Sequence, residues 1–194
     1  MRVLITGGTG LIGRSLIESL IKDGHEVVNL GRAERKDKNP NVSHVKWDGR
    51  AVPESVADID VVVNLAGASI AGRRWSDAYK KELIDSRVNA TRACAEFIAN
   101  ASKKPSVFLS ASGYNFYGSL VDHPVSEKSP SGDGFMAEIC KKWEAAADGT
   151  GVRTVLMRIS VVLDATDGPL AKMLPAYRFF VGGPTGTGTQ GFPW

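Results

Sequence analysis

The 194-residue sequence has few of the residues that staple a small fold or build a metal centre. Only two cysteines occur, Cys94 and Cys140, both inside segments with helical patterning, so a disulfide framework is excluded as the organising device. The three histidines, His25, His44 and His123, have no carboxylate or cysteine at ligand spacing, and no metal site is expected. No apolar run approaches the ~20 residues that span a bilayer. The first residues read as a strand rather than as a basic, apolar, small-residue leader, so a soluble, reducing, cytoplasmic setting is expected. An excess of one charge is also missing. Lys plus Arg number 24 against 21 for Asp plus Glu, and a net charge of +3 gives no reason to expect nucleic acid or a membrane as partner. There is no internal repeat and no low-complexity tract, and a hydrophobic fraction of 43% is that of an ordinary globular chain with one main core.

What is present is more specific. Arg2-Val3-Leu4-Ile5 is a short apolar run, and Leu16, Ile17, Leu20 and Ile21 recur at helical spacing. Between them lies Thr6-Gly7-Gly8-Thr9-Gly10-Leu11-Ile12-Gly13, a glycine-rich turn of the kind that holds a dinucleotide pyrophosphate. Gly7 or Gly8 permits the tight turn, Gly10 lets backbone approach phosphate, and Gly13 lets the helix lie close. The helix N-terminus at Leu11, Ile12 and Gly13 then faces the anion. A second strand, Glu26-Val27-Val28-Asn29-Leu30, completes a strand-turn-helix-strand unit of the expected length.

Strands and helices continue to alternate, which points to a parallel sheet covered on both faces. His44–Trp47 is a third strand and Asp60–Leu65 a fourth, whose continuous apolar character suits a central position. Ser76 is expected to cap a long helix running to about Ala101, with Ile84, Val88, Thr91, Ala95 and Ile98 as its inner stripe. Ser106–Ser110 is a fifth strand, Asp133 a cap for a helix over 134–147, and Arg153–Ile159 a sixth strand. The remainder is punctuated by glycine and proline and reads as loop with one short helix from Ala171 to Phe180. The chain stops at Trp194 without a further strand or helix, so a fragment is expected, with residues 1–163 as a nucleotide-binding domain and 164–194 as the start of an incomplete substrate-binding portion.

The glycine turn, Asn64-Leu65-Ala66-Gly67 after the fourth strand, and Ser110-Ala111-Ser112 through Tyr117-Gly118 after the fifth resemble the extended, epimerase-like branch of the short-chain dehydrogenase/reductase superfamily. Trp47-Asp48-Gly49, Arg74-Trp75, Ser86-Arg87-Val88 and Lys142-Trp143-Glu144-Ala145-Ala146 are similar to its sugar-nucleotide-epimerase-like members of unassigned substrate. The resemblance implies a Rossmann-type doubly wound α/β fold of three layers, parallel strand order 3-2-1-4-5-6, with ligand at the strands' C-terminal ends. It also implies a nicotinamide cofactor. The second strand ends in Leu30-Gly31-Arg32 rather than in the acid that accepts from ribose hydroxyls, so NADP is expected, with Arg32 on the ribose phosphate. Arg35 or Lys36 would be a second contact. The competing reading makes Arg35, Lys36 and Lys38 a solvated loop. Asp48 would accept from the adenine amino group, Leu65, Ala66 and Gly67 would line the adenosine and ribose path, and Ser110 would face the cofactor.

The sequence departs from the superfamily where chemistry is expected. The usual tyrosine and lysine, four residues apart on the helix after the fifth strand, are absent; aligning Glu144 with the family's glutamate puts Met136 and Cys140 in their places. Tyr79, Tyr114, Tyr117 and Tyr177 are followed four residues on by Leu83, Gly118, Val121 and Val181, so no other segment supplies the pair. Ser112 and Tyr117 remain as candidate catalytic groups that could polarise a carbonyl or shuttle a proton; the alternative is a loop cap and a ring packed on the sheet. Arg87, where an asparagine is usual, reaches either the cofactor or an anionic substrate, or else pairs with Asp85. Arg158 is structural or lines the nicotinamide side. Glu138 reads as a solvated partner of Lys141 or Lys142, and Cys140 as a core residue rather than a reactive thiol. Two functions are therefore expected: an NADP-dependent oxidoreductase or epimerase acting on a small-molecule carbonyl or sugar-nucleotide substrate, or an NADP-binding sensor without turnover. A homodimer is one expected assembly.

Overall fold

The computed structural model describes residues 1–118, 124–184, 186–189 and 191–194. Its elements are β1 (Arg2–Thr6), α1 (Leu11–Lys22), β2 (Glu26–Gly31), β3 (Val42–Lys46), β4 (Val61–Asn64), α2 (Asp77–Asn100), β5 (Val107–Gly113), a short 3-10 turn (Tyr114–Tyr117), α3 (Phe135–Ala145), β6 (Arg153–Ile159) and α4 (Gly168–Arg178). The six strands form one sheet in the order β3-β2-β1-β4-β5-β6, every pairing parallel, as expected from the sequence. The order reverses between β1 and β4, which opens a crevice at their C-terminal ends.

Alternation of side chains along the central strands builds the two cores. Val3 and Ile5 of β1 point to the face covered by Leu16, Ile17, Leu20 and Ile21 of α1. Leu4 points to the opposite face, with Val28, Val62 and Phe108, against Ala90, Cys94 and Ile98 of α2. A third cluster of Tyr79, Leu83 and Ile139 joins α2 to α3. The crossovers from β2 to β3 and from β3 to β4 carry no helix, a departure from strict alternation.

Several boundaries differ from expectation for local reasons. The third strand ends at Lys46, because Trp47 donates its N–H to Gly31 O at 2.7 Å and turns its indole into the core, with Nε1 on Ala51 O at 2.7 Å. The fifth strand runs on to Gly113, since Ala111, Ser112 and Gly113 pair with Met157, Arg158 and Ile159 of β6. Gly134, not Asp133, takes the N-cap of α3, at φ +95°, a region glycine reaches without steric cost. Ser76 does cap α2, accepting from Tyr79 N at 3.3 Å. The buried stripe of α2 includes Thr91, Ala95 and Ile98 as expected, but Leu83, Arg87, Ala90 and Cys94 take the inner positions expected of Ile84 and Val88. Helix α4 starts three residues early, because Asp167 accepts from Gly168 N at 2.7 Å and Pro169 pre-sets its first turn.

Two outcomes follow for the β1 region. A Cβ on Gly13 would lie 2.5 Å from Gly7 O and from Gly8 Cα, both backbone, so Gly13→Ala is expected to lower stability by about 1–3 kcal/mol in urea unfolding. Asp60, entering β4, accepts from Arg2 N at 2.8 Å and from Lys103 Nζ at 3.0 Å, and these hold its carboxyl below the ordinary 3.8, Arg2 N–H most strongly. That contribution is complete above pH 3.8 and is lost as pH falls through the lowered value. The stability gap between wild type and Asp60→Asn should therefore be widest near neutrality and close in acid.

Candidate functional site

At the switch point the chain passes from β1 into α1 through Gly7–Gly10. Gly7 takes φ +73° and lies so close to β4's exit that a Cβ would meet Leu65 O at 2.7 Å. A side chain on Gly8 would collide with Asn29 and Ile17. Both glycines are therefore required, Gly7 for conformation and Gly8 for contact. Gly10 is different: its Cβ would meet only Gly7 O, at 3.3 Å, with open space beyond. It occupies the N-cap of α1 without any side-chain cap, and no bond within the described residues takes up the N–H groups of Leu11, Ile12 and Gly13. Free donors at a helix N-terminus give that end a partial positive charge and favour an anion there.

At the ends of β2 and β3, a cavity of about 440 Å³ is lined by Arg32, Lys46, Trp47, Asp48, Ala51 and Pro53. Asp48 has its Oδ1 accepting from Arg50 N at 3.0 Å. Arg32 enters the cavity and Arg35 does not line it. The second cation is Lys46, which the sequence reading missed. Parallel register pairs Gly31 with Lys46, setting the basic end of β3 beside Arg32. Lys46 could have been found only by knowing that register.

On the other side of the switch point, Leu65, Ala66 and Gly67 leave β4 and line the crevice. They are fixed from below by a buried polar cluster. Asn64 Oδ1 accepts from Thr6 Oγ1 at 2.6 Å, and its Nδ2 donates to Thr91 Oγ1 at 2.7 Å and to Ser110 Oγ at 3.4 Å. Ser110 is completely buried in this cluster and so supports the strand ends rather than presenting its hydroxyl to a ligand. Arg87 is 7% exposed, donating to Leu83 O at 2.9 Å and Ala68 O at 3.0 Å, with its guanidinium 5.1 Å above the Trp143 ring. It lies against Gly67, holding the loop from beneath, and burial lowers its pKa. Asp85 is instead paired with Lys81.

The two candidate catalytic residues are brought together by a pair the sequence did not connect. Arg158 of β6 grips Glu144 of α3 with two bonds, Nε to Oε1 at 2.8 Å and Nη2 to Oε2 at 2.9 Å, the bidentate geometry that suits guanidinium to carboxylate. Ser112, 4% exposed, donates to Glu144 Oε1 at 2.6 Å, and Arg158 Nη1 donates to Tyr117 OH at 2.9 Å. The guanidinium also stacks 3.5 Å from the Phe116 ring centroid. The Glu144 bonds raise the Arg158 pKa further, so the cation is permanent.

Helix α3 carries Met136 and Cys140 and no tyrosine. Cys140 is buried, 3.6 Å from Gly113 O, and burial raises its thiol pKa; Cys94 is pushed to about 12 for the same reason. Both are core residues. Glu138 pairs with Lys142 at 2.6 Å on the surface. Trp75 packs edge-on against Phe135. Among the described residues no group of three or more His, Cys, Asp or Glu could hold a metal ion, and no helix is long and apolar enough to cross a membrane. His123 lies outside the described residues.

With this geometry in hand, the likeness to known proteins is informative. Residues 3–163 match the NAD dependent epimerase/dehydratase family. The chain is 38% identical over 199 residues to Epimerase family protein SDR39U1 of Homo sapiens, covering 100% of this chain and 66% of the relative. It is also 38% identical over 205 residues to the chloroplastic SDR39U1 homolog of Arabidopsis thaliana, covering 100% of this chain and 58% of the relative. The crystal structure of human epimerase family protein SDR39U1 (isoform2) with NADPH matches with a TM-score of 0.86 at 37% identity, covering 100% of this chain and 65% of that one. The chain thus spans about three fifths to two thirds of the length of these relatives.

Removing Glu144 leaves the partly buried Arg158 guanidinium without its carboxylate partner. Glu144→Gln is expected to cost about 1–3 kcal/mol in denaturant unfolding, and Arg158→Met/Glu144→Met together less than the sum of the single changes.

Proposed function

The chain belongs to the NAD dependent epimerase/dehydratase family, and from that membership we propose that it binds NADP and serves an oxidoreductase or epimerase reaction on a carbonyl or sugar-nucleotide substrate. The observation that carries the coenzyme choice is the cavity lined by both Arg32 and Lys46 at the ends of β2 and β3. No carboxylate lines it except Asp48, one oxygen of which accepts from Arg50 N–H. The Leu11, Ile12 and Gly13 N–H groups would hold the pyrophosphate, Arg32 and Lys46 the ribose phosphate, and Leu65, Ala66 and Gly67 the path towards the nicotinamide. When bound, the coenzyme supplies hydride exchange with a carbinol or ketone carbon.

In this reading Tyr117 carries the proton. Its phenol oxygen accepts from Arg158, leaving its own O–H to serve a substrate oxygen. Ser112 then supports the site through Glu144 rather than meeting substrate directly, because its hydroxyl is turned inward. Residues 164–194, with α4 tied to α1 by Arg14–Asp167 at 2.7 Å, would begin the substrate-binding portion. A second reading, an NADP-binding sensor without turnover, is favoured by one observation: α3 carries no tyrosine, and burial raises the pKa of its Cys140 thiol.

Titration with NADPH and NADH, followed by nucleotide fluorescence, tests the coenzyme choice. Wild type should bind NADPH more tightly, and Arg32→Ala and Lys46→Ala should each weaken NADPH by about tenfold while changing NADH little. Equal affinity for both nucleotides would reject it. Oxidation of bound NADPH by a carbonyl substrate, slowed in Tyr117→Phe, separates enzyme from sensor.

A further inference from the structure

A line of hydrogen bonds runs from the phosphate-binding turn into the basic loop between β2 and β3. Gly8 N donates to Asn29 Oδ1 at 3.0 Å, which fixes the orientation of the Asn29 amide. Asn29 Nδ2 must then be the donor to His44 Nδ1, 2.9 Å away on the register-paired position of β3. With Nδ1 accepting, the imidazole carries its proton on Nε2 and donates it to Asp37 Oδ2 at 3.0 Å. The other oxygen, Oδ1, accepts from Asn39 N at 2.9 Å. Every bond therefore points the same way, from the turn towards one carboxylate. Asn29 is 1% exposed, a polar side chain between Val28 and Leu30 that no packing argument explains.

Asp37 shares the loop between β2 and β3 with Arg32, Arg35, Lys36 and Lys38, and the loop's other acid is Glu34. A carboxylate free in such a loop would pair with the arginines and compete with any phosphate for them. Here both Asp37 oxygens are engaged elsewhere, and among the described residues no ion pair joins it to Arg32 or Arg35. We propose that His44 is a coenzyme-specificity residue acting by position: it holds the Asp37 carboxylate away from Arg32, so that the guanidinium stays available to a ribose phosphate, and the fixed Asn29 amide ties that restraint to the turn that holds the pyrophosphate. The proposal rests on the NADP reading above and adds a residue that touches neither the coenzyme nor its phosphate.

The test compares NADPH and NADH affinities of wild type, His44→Phe, Asp37→Asn and the double variant. His44→Phe should weaken NADPH about three- to tenfold and leave NADH unchanged, because only the phosphate subsite meets the released carboxylate. Adding Asp37→Asn should restore the NADPH preference, which a merely structural role for the ring would not predict. Asp37→Asn alone, in an exposed loop and therefore safe to fold, should change NADPH affinity by about threefold or less. A gain of tenfold or more in that variant would mean that the carboxylate already competes in wild type, and would overturn the proposal. So would an unchanged nucleotide ratio in a folded His44→Phe. A wild type with no preference for NADPH would instead reject the coenzyme reading itself.

Discussion

The interaction on which the rest of the structure depends is the contact of bare backbone with bare backbone around Gly7, Gly8 and Gly13. The turn lies against Leu65 O on one side and Asn29 on the other, and α1 lies against the turn, at distances that admit no Cβ. This approach brings the ends of β1, β2 and β4 together at the switch point and leaves the first N–H groups of α1 facing outward. Any filling of that space would push α1 off the sheet.

Above this packed base the strand ends are organised by buried polar groups rather than by apolar ones. Asn64 ties Thr6, Thr91 and Ser110, and so joins β1, β4, α2 and β5 at one level. Glu144 and Arg158 do the same for α3, β5, β6 and the Tyr114–Tyr117 turn. Such networks are costly when incomplete and directional when complete. The loop from Leu65 to Ala68 packs Leu65, Ala66 and Ala68 against the three apolar clusters and is bonded to Ser86 and Arg87 beneath it. Apolar and polar contacts therefore both hold the side of the crevice that would meet the coenzyme.

Much of this was legible in the chain. The glycine spacing, the apolar runs of the strands and the Ser76 cap each act over a few residues, and strand order follows from the parallel alternation and the family likeness. Boundaries were legible where propensity was strong and lost where it was not. Ala111, Ser112 and Gly113 are small residues with weak strand preference, drawn into β5 by pairing with β6. Arg87 gave no local sign of its role, because a cation on a helix is ordinarily solvated, and only the fold shows it under Gly67. Lys46 and His44 were invisible as site residues because each acts beside residues of the preceding loop that only the strand register brings near.

The sequence by itself determined the glycine-rich turn, the parallel α/β class and the lack of an acid at the end of β2, since each depends on residue type within short segments. The tertiary structure alone decided which cation joins Arg32, where Ser112 points, and which groups occupy the Asp37 carboxylate. Those outcomes depend on strand register and helix packing, which bring residues such as Gly8, Asn29, His44 and Asp37 within bonding distance although no local pattern relates them. A hydrogen bond needs its partners within about 3 Å, and that distance is a property of the fold.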